Sequence, residues 1–387
     1  MTAPEPIRVL HFCATTLDSH YFANLGKGSA RMGVEVHAGS LTAPEAPAWL
    51  RECPGGEYLY LDAPSRLSYP RAVARLAGFL RRARIDVVQT HLFDGAMVGL
   101  AAARLARVPL AVLTRHHTDE MFIVGSRWHV MADRLMARAA DEVVGFSHAV
   151  RNHMMRREGA DGSKIEVIYQ GFDFDALSAT AEDGRRVRAE LGLGDEFVVG
   201  CVARFFKTKG HEYLLAAVRE LTATIPDIRV MLLGGGDPAP IEAMIRAEGL
   251  EGRVIFTGYR NDVPACMRAM DVVVHPSLTE AFCQTVVEAL AAGAPLVVTD
   301  VAAASEVVTS GENGMLVPPR DPGAIAEAVR TLHRDPAATR RMADAGQRSV
   351  RERFTIDRMV RQQVECYHRW LDARGAGAPG AAGAGGS

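Results

Sequence analysis

Two cations and two carboxylates stand at spacings that suit a charged, hydroxyl-rich ligand. Arg204 and Lys209 lie five residues apart in Val202-Ala203-Arg204-Phe205-Phe206-Lys207-Thr208-Lys209-Gly210, directly after an apolar run. Cations so placed clamp a diphosphate and stabilise the charge that develops on it as it leaves. They can also do the work of a divalent ion. The alternative is a pair of solvated surface charges. Glu280 and Glu288 lie eight residues apart in Pro276–Leu290, where a loop opens a helix. A carboxylate accepts two hydrogen bonds from vicinal hydroxyls, so Glu288 suits a ribose and Glu280 a sugar. Amides around Phe282, Cys283 and Gln284 are expected to be unpaired donors at the helix start, suited to a phosphate. Taken alone, the two glutamates fit equally well as charges complementing a helix dipole. Gly234-Gly235-Gly236 permits close backbone approach, and by itself reads first as a tight turn.

Nine of the 13 histidines precede residue 180. His91 follows the apolar run Asp86–Thr90, and His116 and His117 follow Leu110–Thr114. Such positions suit contact with a sugar hydroxyl, and His20 joins them as a candidate for acceptor or sugar contact. Each also fits a histidine that caps a loop. His11, His20, His116, His117 and Asp119 match no ligand spacing of the H-E-x-x-H kind, so no metal is expected. Asp173-Phe174-Asp175 is a D-x-D, read as a loop in which an Asp caps the next segment. Cys13, Cys53, Cys201, Cys266, Cys283 and Cys366 form no C-x-x-C pair and are expected to be free thiols in a reducing compartment.

The elements that must position these residues recur in a simple pattern. Short apolar runs rich in β-branched residues alternate with longer helical stretches. They are Ile7–Phe12, Val34–Ala38, Tyr58–Leu61, Asp86–Thr90, Leu110–Thr114, Glu142–Ser147 and Ile165–Tyr169, then Phe197–Ala203, Ile228–Leu233, Val254–Thr257, Val272–His275, Pro295–Thr299 and Met315–Val317. Nearly continuous apolar runs suit parallel strands buried on both faces. Strands alternating with helices predict βαβ units and a doubly wound α/β sheet. The pattern runs twice, with a polar stretch at Ser178–Gly194, so a boundary is expected near Ala179–Asp183. Residues 1–180 and 181–355 are the two expected Rossmann-like domains. Ile356–Leu371 has helical apolar spacing in a segment running to residue 374. The Gly, Ala, Pro and Ser of residues 375–387 are expected to be a disordered tail. In such sheets ligands sit outside the carboxyl ends of strands, where the motifs above fall.

The bulk properties set limits. The chain has 387 residues, long for one core and natural for two. It is 48% hydrophobic and 23% charged, with net charge −2, which argues against a nucleic-acid binder that relies on phosphate neutralisation. The apolar run after Met1–Pro6 is too short for a signal sequence, and no stretch approaches a membrane span. A cytoplasmic protein is expected. Tyr69–Arg84 carries Arg71, Arg75, Arg81, Arg82 and Arg84 among Val73, Leu76, Phe79 and Leu80. It reads first as an amphipathic helix packed on the sheet, with peripheral contact to an anionic membrane as the alternative.

These motifs, in this order, resemble retaining family-4-type glycosyltransferases of the GT-B fold, within the glycosyl transferases group 1. The matching pieces are Val202–Gly210, Gly234–Gly236, Phe256-Thr257-Gly258-Tyr259, Asp271–Ser277, Glu280–Gly293 and Gly314–Pro318, with Glu280 and Glu288 forming the E-x7-E. Asp86–His91, Thr114–His116, Phe146-Ser147 and Val167–Asp173 match in the first half. The resemblance implies two Rossmann-like domains facing across a cleft, with the last helix crossing back onto the first. It implies that Arg204 and Lys209 bind the donor diphosphate, Glu288 the ribose and Glu280 the transferred sugar. The backbone at Tyr259 and Arg260 would face the base, and His116 would lie near the donor sugar. It further implies retention of configuration and a nucleoside-diphosphate sugar as co-substrate, with no metal cofactor. Three positions depart from the pattern: Ala14–His20 lacks the usual Gly-Gly loop, Cys283 stands where glycine is common, and Gln170-Gly171 stands where Asn-Gly is usual.

The reading that follows is transfer of a hexose or N-acetylhexosamine, from a UDP-sugar first or GDP-mannose second, to a hydroxyl acceptor. A GT-B-fold nucleotide-sugar epimerase using His116, His117 and Glu280 is the first alternative. A nucleotide-sugar-binding protein without turnover is the second.

Overall fold

The protein is described by a computed structural model covering residues 5–117, 126–301 and 303–375. Asp119 and the tail beyond Gly375 lie outside the described residues. The chain divides into two compact units, one from Met1–Gly171 with Ile356–Ser387, the other from Phe172–Thr355.

The first unit holds strands β1 (Arg8–Cys13), β2 (Glu35–Ser40), β3 (Tyr58–Tyr60), β4 (Val87–His91), β5 (Leu110–Arg115), β6 (Glu142–Gly145) and β7 (Ile165–Val167). Their order is β3-β2-β1-β4-β5-β6-β7, and every pairing is parallel. The direction of strand addition reverses between β1 and β4, the point where such sheets leave a crevice at their carboxyl ends. The helix Ile356–Gly375 packs in this unit. Met359, Val360, Val364, Tyr367 and Trp370 join the core around Val9, Val36 and Val87. Gly28 makes room for it, since a Cβ there would lie 2.5 Å from the Val360 side chain.

The second unit holds β8 (Val198–Val202), β9 (Arg229–Leu233), β10 (Val254–Gly258), β11 (Val272–His275), β12 (Leu296–Thr299) and β13 (Met315–Val317). The order is β10-β9-β8-β11-β12-β13, again all parallel, with the reversal between β8 and β11. Both units are thus Rossmann-like. Each apolar run named from the sequence is a strand here, displaced by no more than two residues at either end. The reason is burial on both faces: β8, β11 and β12 are buried along their whole length.

Phe172–Ser178 is anchored in the second unit. The Phe172 amide donates to the Phe354 carbonyl at 2.9 Å, and the Arg351 guanidinium reaches the Phe174 carbonyl and the Ser178 hydroxyl. Asp173 of the D-x-D accepts from the amides of Asp175 and Ala176 at 3.1 and 3.2 Å, a loop cap. On the helix Tyr69–Arg82, Leu76, Phe79 and Leu80 are buried, while Arg75 and Arg81 bond backbone carbonyls and Arg82 pairs with Glu57. All six cysteines are buried and unpaired. No helix among the described residues is long and apolar enough to cross a membrane.

Candidate active site

In the second unit, Arg204, Lys209 and Glu280 follow β8 and β11, the two strands that flank the reversal, while Gly234–Gly236 and Tyr259 follow β9 and β10. After β8 the chain runs through Arg204 to a short 3-10 turn, Lys207–Lys209, and then bends at Gly210 with φ +67°. A Cβ on Gly210 would lie 2.0 Å from the Pro276 carbonyl oxygen. Glycine therefore lets the β8 loop press onto the β11 loop, a contact closed by the Leu278 amide donating to the Thr208 carbonyl at 2.8 Å. This register brings Lys209 to Glu280. The ammonium donates to Glu280 Oε1 at 2.6 Å, and His275 Nε2 reaches the same oxygen at 2.9 Å. Burial favours the neutral acid at Glu280. The hydrogen bond from His275, with the charges of His275 and Lys209, outweighs burial and holds the carboxyl at about 2.

Arg204 is exposed, its guanidinium 4.6 Å from the Phe206 ring centre, with Phe206 itself 50% exposed. A cation stacked on an exposed ring is held in place yet keeps donors for a ligand. Gly234 has φ +156°, and a Cβ there would lie 2.0 Å from the Ala203 carbonyl oxygen. Its amide donates to the Gly258 carbonyl at 3.2 Å, and the Phe205 amide donates to Gly235 at 2.8 Å. The three glycines thus knit the ends of β8, β9 and β10 together. Tyr259 is 84% exposed. The Arg260 side chain pairs with both oxygens of Glu190 at 2.6 and 3.0 Å and with Asp262 at 2.8 Å. Its guanidinium braces the loop against the helix Ala181–Glu190.

The helix Gln284–Ala291 carries Glu288, which is half-buried. Phe282 is buried against Phe354 at 5.5 Å between ring centres. Cys283 is buried with φ −69° and ψ 73°, and the Gln284 amide donates to the Phe282 carbonyl at 2.7 Å. That is an inverse γ-turn. The Gln284 amide is spent inside it, which corrects the expectation of an unpaired donor at that residue. The cause is the turn that buries both Phe282 and Cys283. Burial also pushes the Cys283 thiol far up, so it is inert.

In the first unit, His91 ends β4 and meets two other histidines. His11 Nδ1 lies 3.2 Å from His91 Nε2, and His91 Nδ1 lies 3.0 Å from His116 Nε2. His11 and His91 are buried and His116 is half-buried. Tyr21, Phe22 and Phe146 set their ring edges against this chain, with centres 4.8–6.2 Å away for Phe22–His91, His116–Phe146, Tyr21–His116 and Tyr21–His91. Burial pushes His11 and His116 down to about 4, and His91 well below its ordinary value. Leu92, next in sequence, has φ +59° and ψ 165°, a region that costs a non-glycine residue on the order of 1–3 kcal/mol. The strand-to-helix turn is held there against that cost.

His117 turns elsewhere. It lies 3.4 Å from Asp133, which with Glu158 flanks the buried Arg115 at 2.7 Å each. His20 is exposed at the start of the helix His20–Arg31 and makes no hydrogen bond to the His11–His91–His116 chain. Among the described residues, no group of three or more His, Cys, Asp or Glu is disposed to hold a metal ion.

His275 and His11 were passed over in the sequence as site residues. His275 ends β11, the same strand-end signal that singled out His91. His11 lies inside β1, where only the pairing of β1 with β4 places it beside His91.

Comparison with known proteins places the chain in a family. The Glycosyltransferase Family 4 model matches residues 19–176, and the Glycosyl transferases group 1 model matches residues 184–349. A 2-deoxystreptamine glucosyltransferase of Streptomyces kanamyceticus is 29% identical over 75% of this chain and 79% of that protein. A D-inositol 3-phosphate glycosyltransferase of Mycobacterium sp. (strain KMS) is 30% identical over 81% of this chain and 77% of that protein. Among solved structures, Anabaena HepE in complex with UDP and glucose has TM-score 0.80 at 24% identity, over 94% of this chain and 99% of that one. Sucrose-phosphate synthase from Thermosynechococcus elongatus has TM-score 0.80 at 24% identity, over 95% and 100%. The two parallel sheets are those of GT-B structures. The chain belongs to the family-4-type glycosyltransferases and is an enzyme of that class.

Proposed function

We propose that this glycosyltransferase retains anomeric configuration, works without a metal, and moves a hexose or N-acetylhexosamine from a nucleoside-diphosphate donor to a hydroxyl acceptor. The observation that carries the proposal is the meeting of Lys209 and Glu280 at the β8/β11 reversal, with Arg204 exposed on the same loop. Arg204 and Lys209 take the diphosphate and supply the positive charge that a metal supplies elsewhere. Glu280 contacts the transferred sugar and Glu288 the ribose hydroxyls. The backbone at Tyr259 and Arg260 faces the base. His116 meets a sugar oxygen. The departing phosphate takes the acceptor proton, so no side chain is assigned as base.

UDP is the preferred nucleotide, supported by the likeness to a structure holding UDP and glucose, with GDP-mannose as the alternative donor. Relatives named for 2-deoxystreptamine and for D-inositol 3-phosphate point the acceptor search toward cyclitols. The test is incubation with UDP-glucose, UDP-N-acetylglucosamine or GDP-mannose and a cyclitol acceptor in EDTA, with the product's anomeric configuration read by NMR. A new glycoside of the donor's configuration is expected. An inverted product would contradict retention, and a new nucleotide-sugar epimer without glycoside would replace transfer by epimerisation.

A further inference from the structure

The chain of three histidines in the first unit fixes more than its own packing. We propose that His91, backed by His11, is a positioning residue that holds His116 in the tautomer protonated on Nδ1, so that His116 offers a hydrogen-bond donor to a substrate oxygen. The proposal rests on the reading that His116 meets a sugar oxygen.

The two contacts, His11 Nδ1 to His91 Nε2 and His91 Nδ1 to His116 Nε2, couple the protons of all three rings. A neutral imidazole has one N–H and one lone pair. Two orders alone satisfy both contacts. In the first, His11 donates from Nδ1 to His91, His91 donates from Nδ1 to His116, and the remaining proton of His116 sits on Nδ1. In the second, every proton runs inward, and the last one sits on His11 Nε2.

His11 Nε2 decides between them. It is buried and has no hydrogen-bond partner among the described residues. An orphaned buried N–H is rarer in folded proteins than an under-satisfied acceptor, because a stranded donor forfeits its full solvation. The inward order strands a donor there, so the outward order holds. His116 is half-buried, and its Nδ1 makes no hydrogen bond among the described residues, so its proton is left for a ligand.

The condition of neutrality is met. Burial lowers all three rings well below neutral pH, and no carboxylate hydrogen-bonds to any of them among the described residues. The rings packed against them are Tyr21, Phe22 and Phe146, none of which carries a charge near pH 7. His116 is therefore a donor that stabilises an oxygen and not a base that removes a proton, because a proton passed inward would end on the orphaned His11 Nε2.

The test is long-range proton–nitrogen NMR on histidine-labelled protein at pH 7 without donor, which a failed donor assignment would leave untouched. The wild type should show His116 protonated on Nδ1. His91→Phe should lose that preference and lower kcat about ten-fold, the worth of one hydrogen bond. His91→Asn, whose amide sits where Nδ1 did, should restore both. Protonation of wild-type His116 on Nε2, or the same tautomer in wild type and His91→Phe, would overturn the proposal. If His91→Phe does not fold, the wild-type spectrum alone decides.

Discussion

Lys209 Nζ and His275 Nε2 converge on one oxygen of Glu280, at 2.6 and 2.9 Å, so that a carboxylate is kept ionised where the β8 and β11 loops meet. In the absence of ligand the cation and the carboxylate satisfy each other. A diphosphate arriving at Lys209 would share its donors, since an ammonium has three.

The first prediction concerns acid. Burial pushes the Glu280 carboxyl up, while His275 and Lys209 bring it down to about 2, against an ordinary 4.5. The folded value lies below the unfolded one, so the stability it contributes is present above about 4.5 and lost as pH falls toward about 2. Glu280→Gln removes that contribution. Circular dichroism from pH 6 to 2 should show the wild type losing stability more steeply than the variant across that window. Parallel curves would refute the pairing.

Much of this was legible in the sequence because burial on both faces writes parallel strands as continuous apolar runs. The motifs after those runs then fall at the carboxyl ends of the strands by topology, and those after β4, β8 and β11 fall at the reversals. What was not legible depends on neighbours distant in sequence. His11 became a site candidate only through the pairing of β1 with β4. The Arg260 guanidinium is taken by Glu190, seventy residues earlier, a pairing that residue types do not announce. The Gln284 amide looked unpaired because an inverse γ-turn has no signature in residue types.

Arg115 gives a second prediction. It is buried between Asp133 and Glu158, and burial raises both acids despite its charge. Arg115→Ala leaves two buried carboxylates without that partner and should cost about 3–5 kcal/mol at pH 7. Carboxyls raised in the folded state favour folding at low pH and lose that advantage as pH rises, so the deficit should shrink on acidification. Urea unfolding at pH 7 and pH 5 measures it, and a deficit that grows at pH 5 would contradict the assignment.

Gly210 gives a third. Any side chain there meets the Pro276 carbonyl and a left-handed backbone. Gly210→Ala should destabilise by more than about 1 kcal/mol and weaken donor binding, because the same bend carries Lys209 to Glu280. Thermal unfolding with and without nucleotide checks both effects. An unchanged midpoint would show that the loop accommodates the methyl group.

Arg204 separates binding from folding. It is exposed and stacked on Phe206, so Arg204→Ala should change stability by no more than about 0.5 kcal/mol. It should still lower transfer by about 100-fold if it steadies the leaving diphosphate. Rates at saturating donor, set beside the melting temperature, decide it, and a fully active variant would remove Arg204 from the site.

The central claim is a metal-free diphosphate site built on Lys209. Calorimetric titration with UDP and with GDP in EDTA tests it most directly, in the wild type and in Lys209→Ala. One nucleotide should bind the wild type without metal and bind the variant at least ten-fold more weakly, the loss of one charge-assisted hydrogen bond of about 1.5 kcal/mol or more. Binding of neither nucleotide, or equal binding to both proteins, would contradict the account.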